Sequence, residues 1–176
     1  FQKRESLPGR RGLYDFAIDL YDDARPERRT LYRLSTAETK ALRAEVMGLL
    51  DRGWIARSHS AWSSPVLFAK NRKKDGSLRP VYDYRSINSR TVPFNGPLPR
   101  WTEILPKLRG AAVFSVFDLA KGFQQIRVRA GDEPKTAFAT PWGLYHHLVM
   151  TMGSANAAAQ AARSADAVDA SDVWDR

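Results

Sequence analysis

The chain has 176 residues and 43% of them are hydrophobic, which is enough for one domain with a real core. It has no cysteine, which excludes a disulfide framework and a thiolate zinc site, and it has no apolar run of the roughly 18 residues that cross a membrane. The first residue is Phe and no secretory signal is present, so we expect an intracellular piece of a longer polypeptide.

Basic residues outnumber acidic ones, and the excess is uneven along the chain. The formal net charge is +9, and residues 1–110 hold 22 of the 28 Lys and Arg but only 12 of the 19 Asp and Glu. A positive excess suits a polyphosphate partner, because neutralised phosphates release counterions. A solvated basic surface accounts for the same pattern, so charge alone leaves both interpretations open.

The first segment of the chain is poor in apolar residues. Residues 1–29 are crowded with Arg, Asp, Pro and Gly, and only Leu13 to Leu20 offers a few alternating apolar positions. We interpret residues 1–29 as a linker or extended arm.

A helix is predicted to begin after Ser35, because Ser35 and Glu38 can satisfy each other's free backbone amides as a capping box. Gly53 is placed to end this helix, since glycine readily takes the left-handed conformation of a helix terminus. The spacing predicts one apolar face, made by Leu42, Val46, Leu49 and Leu50. We interpret the helix as core packing.

A β-hairpin with a basic tip is predicted next. Ala61 to Lys70 reads as a short apolar strand behind a turn, and Leu78 to Tyr84 reads as its return strand. Pro80 has no amide donor, so the return strand should be an edge strand or carry a bulge. Charge at such a tip usually serves solubility, and the local pattern alone favours that explanation.

Two more elements are predicted in the second half of the chain. A short helix over Trp101 to Leu108 follows a proline-rich loop, and a second hairpin joins Thr136–Thr140 to Leu144–Val149. His146 and His147 are neighbours on a strand, so their side chains should point to opposite faces, which is poor geometry for shared metal ligation. We interpret both histidines as structural.

The stretch from Phe114 to Ile126 carries the candidate chemistry. The apolar run from Val113 to Phe117 predicts a buried strand that ends at Asp118. Because burying an unpaired carboxylate is costly, Asp118 is either a polar strand end or a site where a cation compensates the charge. A Lys-Gly turn with backbone amides follows, and the residues alone leave both interpretations open.

This stretch reads Phe-Ser-x-x-Asp-Leu-x-x-Gly-Phe-x-Gln-Ile and resembles the first catalytic motif of reverse transcriptases, specifically those of gypsy-class LTR retrotransposons. Further motifs fall in the family's order and approximate spacing over roughly residues 7 to 153, which makes the resemblance specific. These motifs are Leu34-Ser35-x-Ala37-Glu38, Gly53-Trp54-Ile55, Trp62 to Phe68, Lys73 to Arg79, Asp83-Tyr84-Arg85-x-Ile87-Asn88, Pro97 to Arg100 and Pro134 to Phe138.

The resemblance implies an α+β fold, namely a polymerase fingers/palm fragment with antiparallel β-hairpins, a few packed helices and an incomplete palm. It divides the chain into an arm (1–29), the fingers and partial palm (30–154) and an Ala-rich tail unlike the family (155–176). The implied reaction is RNA-directed DNA polymerisation, in which two Mg2+ ions assist deoxynucleotidyl transfer. The implied partners are an RNA or DNA template-primer, deoxynucleoside triphosphates and the rest of the retrotransposon polyprotein, with no membrane.

The resemblance also implies a metal ligand set and a template contact. Asp118 would be the catalytic carboxylate and would bind Mg2+, with the backbone carbonyl of Leu119 as a second ligand. Arg85 would contact the template strand.

The same resemblance implies a triphosphate site. Lys73 and Arg79 would grip the phosphates of the incoming nucleotide, and Lys121 and Gly122 would present backbone amides near them. Phe123 would lie under the sugar and favour deoxynucleotides by leaving no room for a 2′-hydroxyl. An ordinary core aromatic is the alternative for Phe123.

The chain departs most from the family near residue 150. Family members continue with Pro-Phe-Gly-Leu-Thr-Asn-Ala-Pro and supply further aspartates from Tyr-x-Asp-Asp. Here residues 151–158 retain only Gly153, Asn156 and Ala157 of that run, and no Tyr-x-Asp-Asp occurs. We interpret the change as a truncation, a frameshift or a mis-joined reading frame, followed by an Ala-rich tail that favours a helix but has little apolar bulk to anchor it.

Three hypotheses follow. The first is a fragment of an RNA-directed DNA polymerase that is inactive alone, because it holds only one carboxylate of the catalytic set. The second is a non-catalytic nucleic-acid-binding remnant that uses basic side chains as phosphate contacts, namely Lys73, Lys74, Arg79 and Arg85. The third is a defective reading frame whose product does not fold stably, since a missing palm exposes apolar faces.

Overall fold

The computed structural model describes residues 6–69, 78–94, 101–114 and 121–166. In these ranges lie the helices α1 (Thr36–Asp51), α2 (Arg85–Asn88), α3 (Trp101–Leu108) and α4 (Ala157–Asp166). The strands are β1 (Ile55–Arg57), β2 (Val66–Phe68), β3 (Pro80–Tyr82), β4 (Phe138–Thr140) and β5 (Gly143–His147). This mixture of helices and antiparallel strands confirms the predicted α+β class.

The strands form two small sheets that share one bridge. The first sheet has the antiparallel order β1-β5-β4, and the second is the antiparallel pair β2-β3. Ser64 joins them, because its amide donates to the carbonyl of Ala137 at 2.9 Å and its carbonyl accepts from the amide of Ala139 at 3.0 Å. The predicted second hairpin is present as β4 and β5, with Phe138 opposite Tyr145.

Both predicted ends of α1 are confirmed. The amide of Ser35 donates to the Glu38 carboxylate at 2.7 Å, and the Ser35 hydroxyl accepts from the Glu38 amide at 3.3 Å, which completes the capping box. At the other end Gly53 has a φ of +67°, and its amide donates to Leu50 while the amide of Trp54 donates to Leu49. This pair of bonds is a Schellman motif, so the residue types at both ends set the length of the helix.

The first hairpin is present as β2 and β3, and Pro80 fits into it without the loss of a hydrogen bond between the strands. Pro80 lies opposite Phe68, and the adjacent pair is hydrogen bonded, since the amide of Ala69 donates to the carbonyl of Arg79 at 3.0 Å. Because bonded and non-bonded pairs alternate in an antiparallel ladder, the Pro80 nitrogen faces away from β2. Among the described strands β3 pairs with β2 alone, as predicted for an edge strand, and its proline removes no bond from the pair.

The N-terminal arm packs into the core, which its composition does not indicate. Phe16 and Ile18 are buried. The amide of Phe16 donates to the carbonyl of Arg127 at 2.7 Å, and its carbonyl accepts from the amide of Arg129 at 2.8 Å. The amide of Ile18 donates to the carboxylate of Asp132 at 3.0 Å. The arm is thus extended, and the part of it around Phe16 and Ile18 is held by segments more than 100 residues away. The boundaries at residues 29 and 154 stay a prediction.

Two hydrophobic clusters make the core, and Tyr82 packs against both. One cluster joins the arm to α2 and the segment around residue 126, and its buried members are Phe16, Ile18, Trp62, Tyr84, Ile87, Ile126, Val128, Met150 and Ala157. The other joins α1 to the three-stranded sheet, and its buried members are Leu42, Val46, Leu49, Trp54, Ile55, Val66, Phe138, Tyr145 and Val149. The strand β3 therefore lies where the two clusters meet.

The predicted buried strand before Asp118 is wrong for its described part. Val113 is 84% exposed and Phe114 is 61% exposed, and neither belongs to a strand. Gly110 turns the chain with a φ of +85° after α3, and no described strand pairs with the residues that follow. Apolar composition alone does not bury a segment without a neighbour to cover it. Residues 115–120, which complete the predicted strand, lie outside the described residues.

The Ala-rich segment forms α4, as its helix propensity predicts. The helix is anchored by Ala157, which is buried, and by Gln160, whose side-chain amide donates to the carbonyl of Tyr14 at 3.3 Å. A polar side chain thus supplies part of the anchoring that the alanines lack. Among the described residues, no helix is both long and apolar enough to span a lipid bilayer.

His147 is buried without a hydrogen bond to either ring nitrogen in the described part of the chain. Its ring lies 4.6 Å from the Tyr82 ring and 4.8 Å from the Phe138 ring. Burial lowers the pKa of His147 to about 3, with His146 adding to the effect. His147 is therefore neutral and acts as a core residue, as predicted, while His146 lies on the other face of β5 opposite Ala56.

The first testable prediction concerns the dependence of stability on pH. The pKa of His147 is lower in the folded chain than its ordinary value of 6.5, so only the unfolded chain gains a proton as the pH falls below 6.5. The free energy of unfolding should therefore fall by about 2 kcal/mol between pH 7 and pH 5, and His147→Leu should remove most of this loss. Urea unfolding at both pH values measures it, with His59→Leu at an exposed histidine as the control. An equal pH dependence in His147→Leu and the unaltered chain would contradict the assignment.

Candidate functional site

Two predicted site residues flank the edge strand β3. Arg79 comes directly before the strand, is exposed, and places Nη2 3.0 Å from the sulfur of Met152. A thioether is a weak acceptor, so this contact holds the guanidinium only loosely. Arg85 begins α2, three residues after the strand, and its side chain is 76% exposed. Both cations are therefore at the surface on either side of β3.

The turn between β3 and α2 is fixed by its two tyrosines. The Tyr84 hydroxyl donates to the carbonyl of Thr136 at 3.0 Å, and burial raises the pKa of that hydroxyl above its ordinary range. The ring of Tyr82 contacts the rings of Phe138 and His147. Asp83 lies between them, and its amide donates to the carbonyl of Pro65 at 2.9 Å. Anchoring on both sides fixes the backbone of Asp83.

The carboxylate of Asp83 is buried and binds three side chains. Arg85 binds it through two atoms, Nε to Oδ1 at 2.8 Å and Nη2 to Oδ2 at 2.7 Å. Arg29 donates from Nη1 to Oδ2 at 2.8 Å, and the Tyr32 hydroxyl donates to the same oxygen at 2.7 Å. We call these four residues the Asp83 cluster. It joins the arm to the edge of the β2-β3 hairpin.

Electrostatics of the Asp83 cluster follow from these bonds. The hydrogen bonds from Arg85, with those from Tyr32 and the charge of Arg29, hold the pKa of Asp83 well below its ordinary value although burial acts in the opposite direction. The same bonds raise the pKa of Arg85 above its already high value. The carboxylate is therefore ionised at neutral pH, and two cations share one anion.

A loop from Met152 to Asn156 packs beside this edge through two asparagines. The Asn88 side chain donates to the carbonyl of Gly153 at 2.8 Å and accepts from the amide of Ala155 at 2.9 Å. The Asn156 side chain accepts from the amide of Phe94 at 3.0 Å and donates to the carbonyl of Val92 at 2.8 Å. The loop that carries Met152 is therefore held against the segment around α2.

Gly153 takes a backbone conformation that the loop needs. Its φ is +96°, and an added Cβ would lie 3.7 Å from the carbonyl oxygen of Tyr82. The positive φ strains any residue with a side chain, although the space itself would admit a methyl group. Gly153 is one of the three residues of this run that match the family pattern, and its conformation gives a physical reason for glycine there.

The predicted turn at Lys121 and Gly122 is present. Lys121 has a φ of +53°, and its ammonium lies 5.1 Å from the centre of the Trp54 ring. Gly122 precedes a short 3-10 turn over Phe123–Gln125. Within the described ranges, the amides of Gly122 and Phe123 have no hydrogen-bond acceptor. Phe123 is half-buried and packs against the cluster that contains Ile126.

The remaining predicted site residues lie outside the described residues. These are Lys73, Asp118 and Leu119. Among the described residues, no group of three or more His, Cys, Asp or Glu side chains could hold a metal ion. Nor does any hydrogen bond or ion pair in those ranges join Arg79 or Arg85 to Gly122 or Phe123.

Sequence reasoning missed three members of the Asp83 cluster. Asp83 enters the sequence analysis only as part of a motif, Arg29 is the last residue of the segment interpreted as a linker or arm, and Tyr32 lies just beyond that segment. The separations of 54 and 51 residues from Asp83 leave no periodic signal in the sequence. The one available signal is the placement of Asp83 between two aromatic residues, where a carboxylate needs cationic partners.

A family described as reverse transcriptase (RNA-dependent DNA polymerase) matches residues 71–171. The Transposon Tf2-3 polyprotein of Schizosaccharomyces pombe is 38% identical over 128 residues, which are 73% of this chain and 10% of that polyprotein. The Transposon Tf2-7 polyprotein of the same organism is 38% identical over 122 residues, or 69% of this chain and 9% of the polyprotein. The chain thus spans about 10% of the length of these curated relatives.

Solved structures share the fold. The native prototype foamy virus protease-reverse transcriptase matches with a TM-score of 0.68 and 22% identity, over 86% of this chain and 20% of that one. The foamy viral protease-reverse transcriptase in complex with an RNA/DNA hybrid matches with a TM-score of 0.71 and 20% identity, over 96% of this chain and 22% of that one. At these identities the likeness shows the fold alone.

The second testable prediction concerns the loop that carries Met152. Asn88→Ala removes two hydrogen bonds to this loop and should lower the free energy of unfolding by about 1 kcal/mol, since both bonds are accessible to water. Urea unfolding measures the loss. Gln124→Ala is the control, because Gln124 is half-buried but makes no side-chain hydrogen bond in the described part of the chain. A loss as large in the control as in Asn88→Ala would show that these bonds do not hold the loop.

Proposed function

The chain belongs to the reverse transcriptase family, and from that premise we propose that it is the nucleotide- and template-contacting part of an RNA-directed DNA polymerase from a gypsy-class LTR retrotransposon. The observation that carries the proposal is the pair of surface arginines, Arg79 and Arg85, on either side of β3 within the matched residues 71–171. A cationic edge of this kind can meet both a nucleotide triphosphate and a nucleic-acid backbone.

The family and the fold support this role at a coarser level. The chain is the reverse transcriptase part of a retrotransposon polyprotein, and its α+β fold is that of a polymerase fingers/palm fragment. We propose that the rest of the polyprotein is its partner, that it acts inside the cell, and that residues 30–154 form the fingers and partial palm.

On the nucleotide side, Arg79 would bind phosphate oxygens together with Lys73 from the hairpin tip. Arg79 suits this role because its contact with the Met152 sulfur is weak and a phosphate oxygen is a much stronger acceptor. Lys121 and Gly122 would present their backbone amides to the same triphosphate. Phe123 would lie under the sugar, although its packing on the core is equally expected of a structural aromatic.

The metal ligands of the proposed site would be the carboxylate of Asp118 and the backbone carbonyl of Leu119. Both are oxygen donors, which is the ligand type that Mg2+ prefers. When bound, Mg2+ would neutralise charge on the phosphates during nucleotidyl transfer. A two-metal site needs further carboxylates, and the sequence lacks the Tyr-x-Asp-Asp that would supply them by the family resemblance. We therefore propose that the chain is inactive on its own.

On the template side, Arg85 would donate to a backbone phosphate. Its Nε and Nη2 bind Asp83, while its Nη1 makes no hydrogen bond within the described ranges, so two N–H donors remain for a ligand. One solved relative is a complex with double-stranded DNA and another with an RNA/DNA hybrid. We propose an RNA or DNA template-primer as the ligand of this chain.

The third testable prediction concerns catalysis. The 176-residue chain should not extend a primer in the presence of Mg2+ and deoxynucleoside triphosphates, whereas it should still bind the template-primer. Asp118→Asn should leave template-primer binding unchanged, because the proposed template contact is Arg85 and the proposed role of Asp118 is to bind Mg2+. Gel-based primer extension and fluorescence anisotropy measure the two properties. Nucleotide incorporation that Asp118→Asn abolishes would overturn the proposed inactivity.

The fourth testable prediction separates a polymerase fragment from a general nucleic-acid binder. Arg85→Gln should make the dependence of log affinity for a template-primer on log salt shallower by about 0.9, the value for one lost phosphate contact. Arg79→Gln should leave this slope unchanged, because Arg79 would bind the triphosphate. Lys40→Gln, at an exposed position on α1, controls for the loss of one charge.

Other results of the salt titration would point elsewhere. An equal change for Arg79→Gln and Arg85→Gln would favour the non-catalytic binder, which uses both as phosphate contacts. An affinity that stays flat between low and moderate salt would exclude both proposals. A cooperative melting transition of the unaltered chain would argue against a product that does not fold.

A further inference from the structure

Arg29, at the end of the arm, and Tyr32, just after it, reach the same carboxylate oxygen as Arg85. Oδ2 of Asp83 accepts from Arg85 Nη2 at 2.7 Å, from Arg29 Nη1 at 2.8 Å and from the Tyr32 hydroxyl at 2.7 Å. The Tyr32 oxygen in turn lies 3.3 Å from Arg29 Nη2 and 3.4 Å from Arg85 Nη2. Two guanidinium groups and one hydroxyl therefore form a single hydrogen-bonded group around one buried anion.

The arm side of this group is rigid. The amide of Arg29 donates to the carbonyl of Ser63 at 3.0 Å, directly before the residue that bridges the two sheets. The neighbouring Arg28 donates from Nη2 to the carbonyl of Ser60 at 3.0 Å. The Arg29 side chain is 29% exposed, whereas that of Arg85 is 76% exposed. Arg29 is therefore the fixed cation of the pair, and Arg85 is the accessible one.

The arrangement has a direct consequence for the aim of Arg85. A long exposed side chain gains little from one surface ion pair, because ordering it costs conformational entropy. Here the acceptor is buried and already held by Arg29 and Tyr32, so Arg85 forms a bidentate pair with a fixed partner. Two cations against one carboxylate also leave a net positive charge of one, which favours an additional anion at the exposed Arg85 donors.

We propose that Arg29, at the end of the N-terminal arm, and Tyr32, just after it, are positioning residues that hold Asp83 and thereby aim Arg85 at a nucleic-acid phosphate. The inference rests on the proposed template contact of Arg85 and adds that Arg29 and Tyr32 control the direction of the Arg85 side chain. Removing the contacts of Arg29 and Tyr32 leaves Asp83 with Arg85 alone and frees the carboxylate to turn. Arg85 then keeps its charge but loses its fixed direction.

The test is a double-mutant cycle on the complete 176-residue chain. Arg29→Gln, Arg85→Gln and the double variant are compared with the unaltered chain for binding to a short RNA/DNA hybrid at constant salt. Each single variant should weaken binding roughly three- to tenfold, and Arg29→Gln should add almost nothing once Arg85 is gone. Arg33→Gln is the matched control, since it removes an exposed arginine four residues after Arg29.

Each outcome of the cycle bears on a different claim. Additive losses from Arg29→Gln and Arg85→Gln would overturn the inference, because Arg29 would then act independently of Arg85. No loss from Arg29→Gln, or a loss no larger than that from Arg33→Gln, would overturn it as well. No loss from Arg85→Gln would overturn the proposed template contact itself.

A second variant keeps the test decisive if Arg29→Gln lowers the melting temperature. Tyr32→Phe removes one hydroxyl and keeps the ring, so it should leave the melting temperature within a few degrees. As a single substitution, Tyr32→Phe should still weaken binding. Added to Arg85→Gln, it should cause no further loss of binding. Additive behaviour of Tyr32→Phe would overturn the inference by the same logic.

Discussion

The need of one buried carboxylate for cationic partners organises the functional edge of this molecule. Asp83 lies between two tyrosines that pack in the core, and little of its side chain is accessible to water. Burying a charge is tolerable only with a partner and hydrogen bonds, and the chain provides both from two distant segments. Arg29 and Tyr32 come from the end of the arm and the residues just after it, and Arg85 comes from the start of α2. The arm, the hairpin and α2 are thus connected through one side chain.

Much of the local structure follows from short-range chemistry that is visible in the sequence. Ser35 and Glu38 begin α1, Gly53 ends it, and Pro80 marks an edge strand. Each of these features depends on residues within a few positions of one another. Phe16 and Ile18 were not recognisable as core, because their partners lie more than 100 residues away. The prediction of a buried strand at Val113 and Phe114 was wrong for the opposite reason. Both residues are apolar, but no described neighbour covers them.

The candidate site shows the same contrast between residues that the sequence indicates and contacts that only the structure reveals. Arg79, Arg85, Lys121 and Gly122 were named through a resemblance that works residue by residue, and the structure describes all four. The resemblance says nothing about what holds each of them, because a motif gives order along the chain and not contacts across it. The support of Arg85 by Asp83, the contact of Arg79 with Met152 and the two asparagines of the adjacent loop appear only in three dimensions. Asp118 stays a prediction from the resemblance.

The proline of β3 has a consequence for self-association. The unpaired side of an edge strand normally presents a row of amides and carbonyls. A strand of another molecule can form hydrogen bonds with this row, which joins the sheets of two molecules. The Pro80 nitrogen faces that open side, and it carries no hydrogen. A second chain that approached this edge would find a gap in the ladder at its first residue. The surface between Arg79 and Arg85 is therefore protected against capture by another copy of the protein at high concentration.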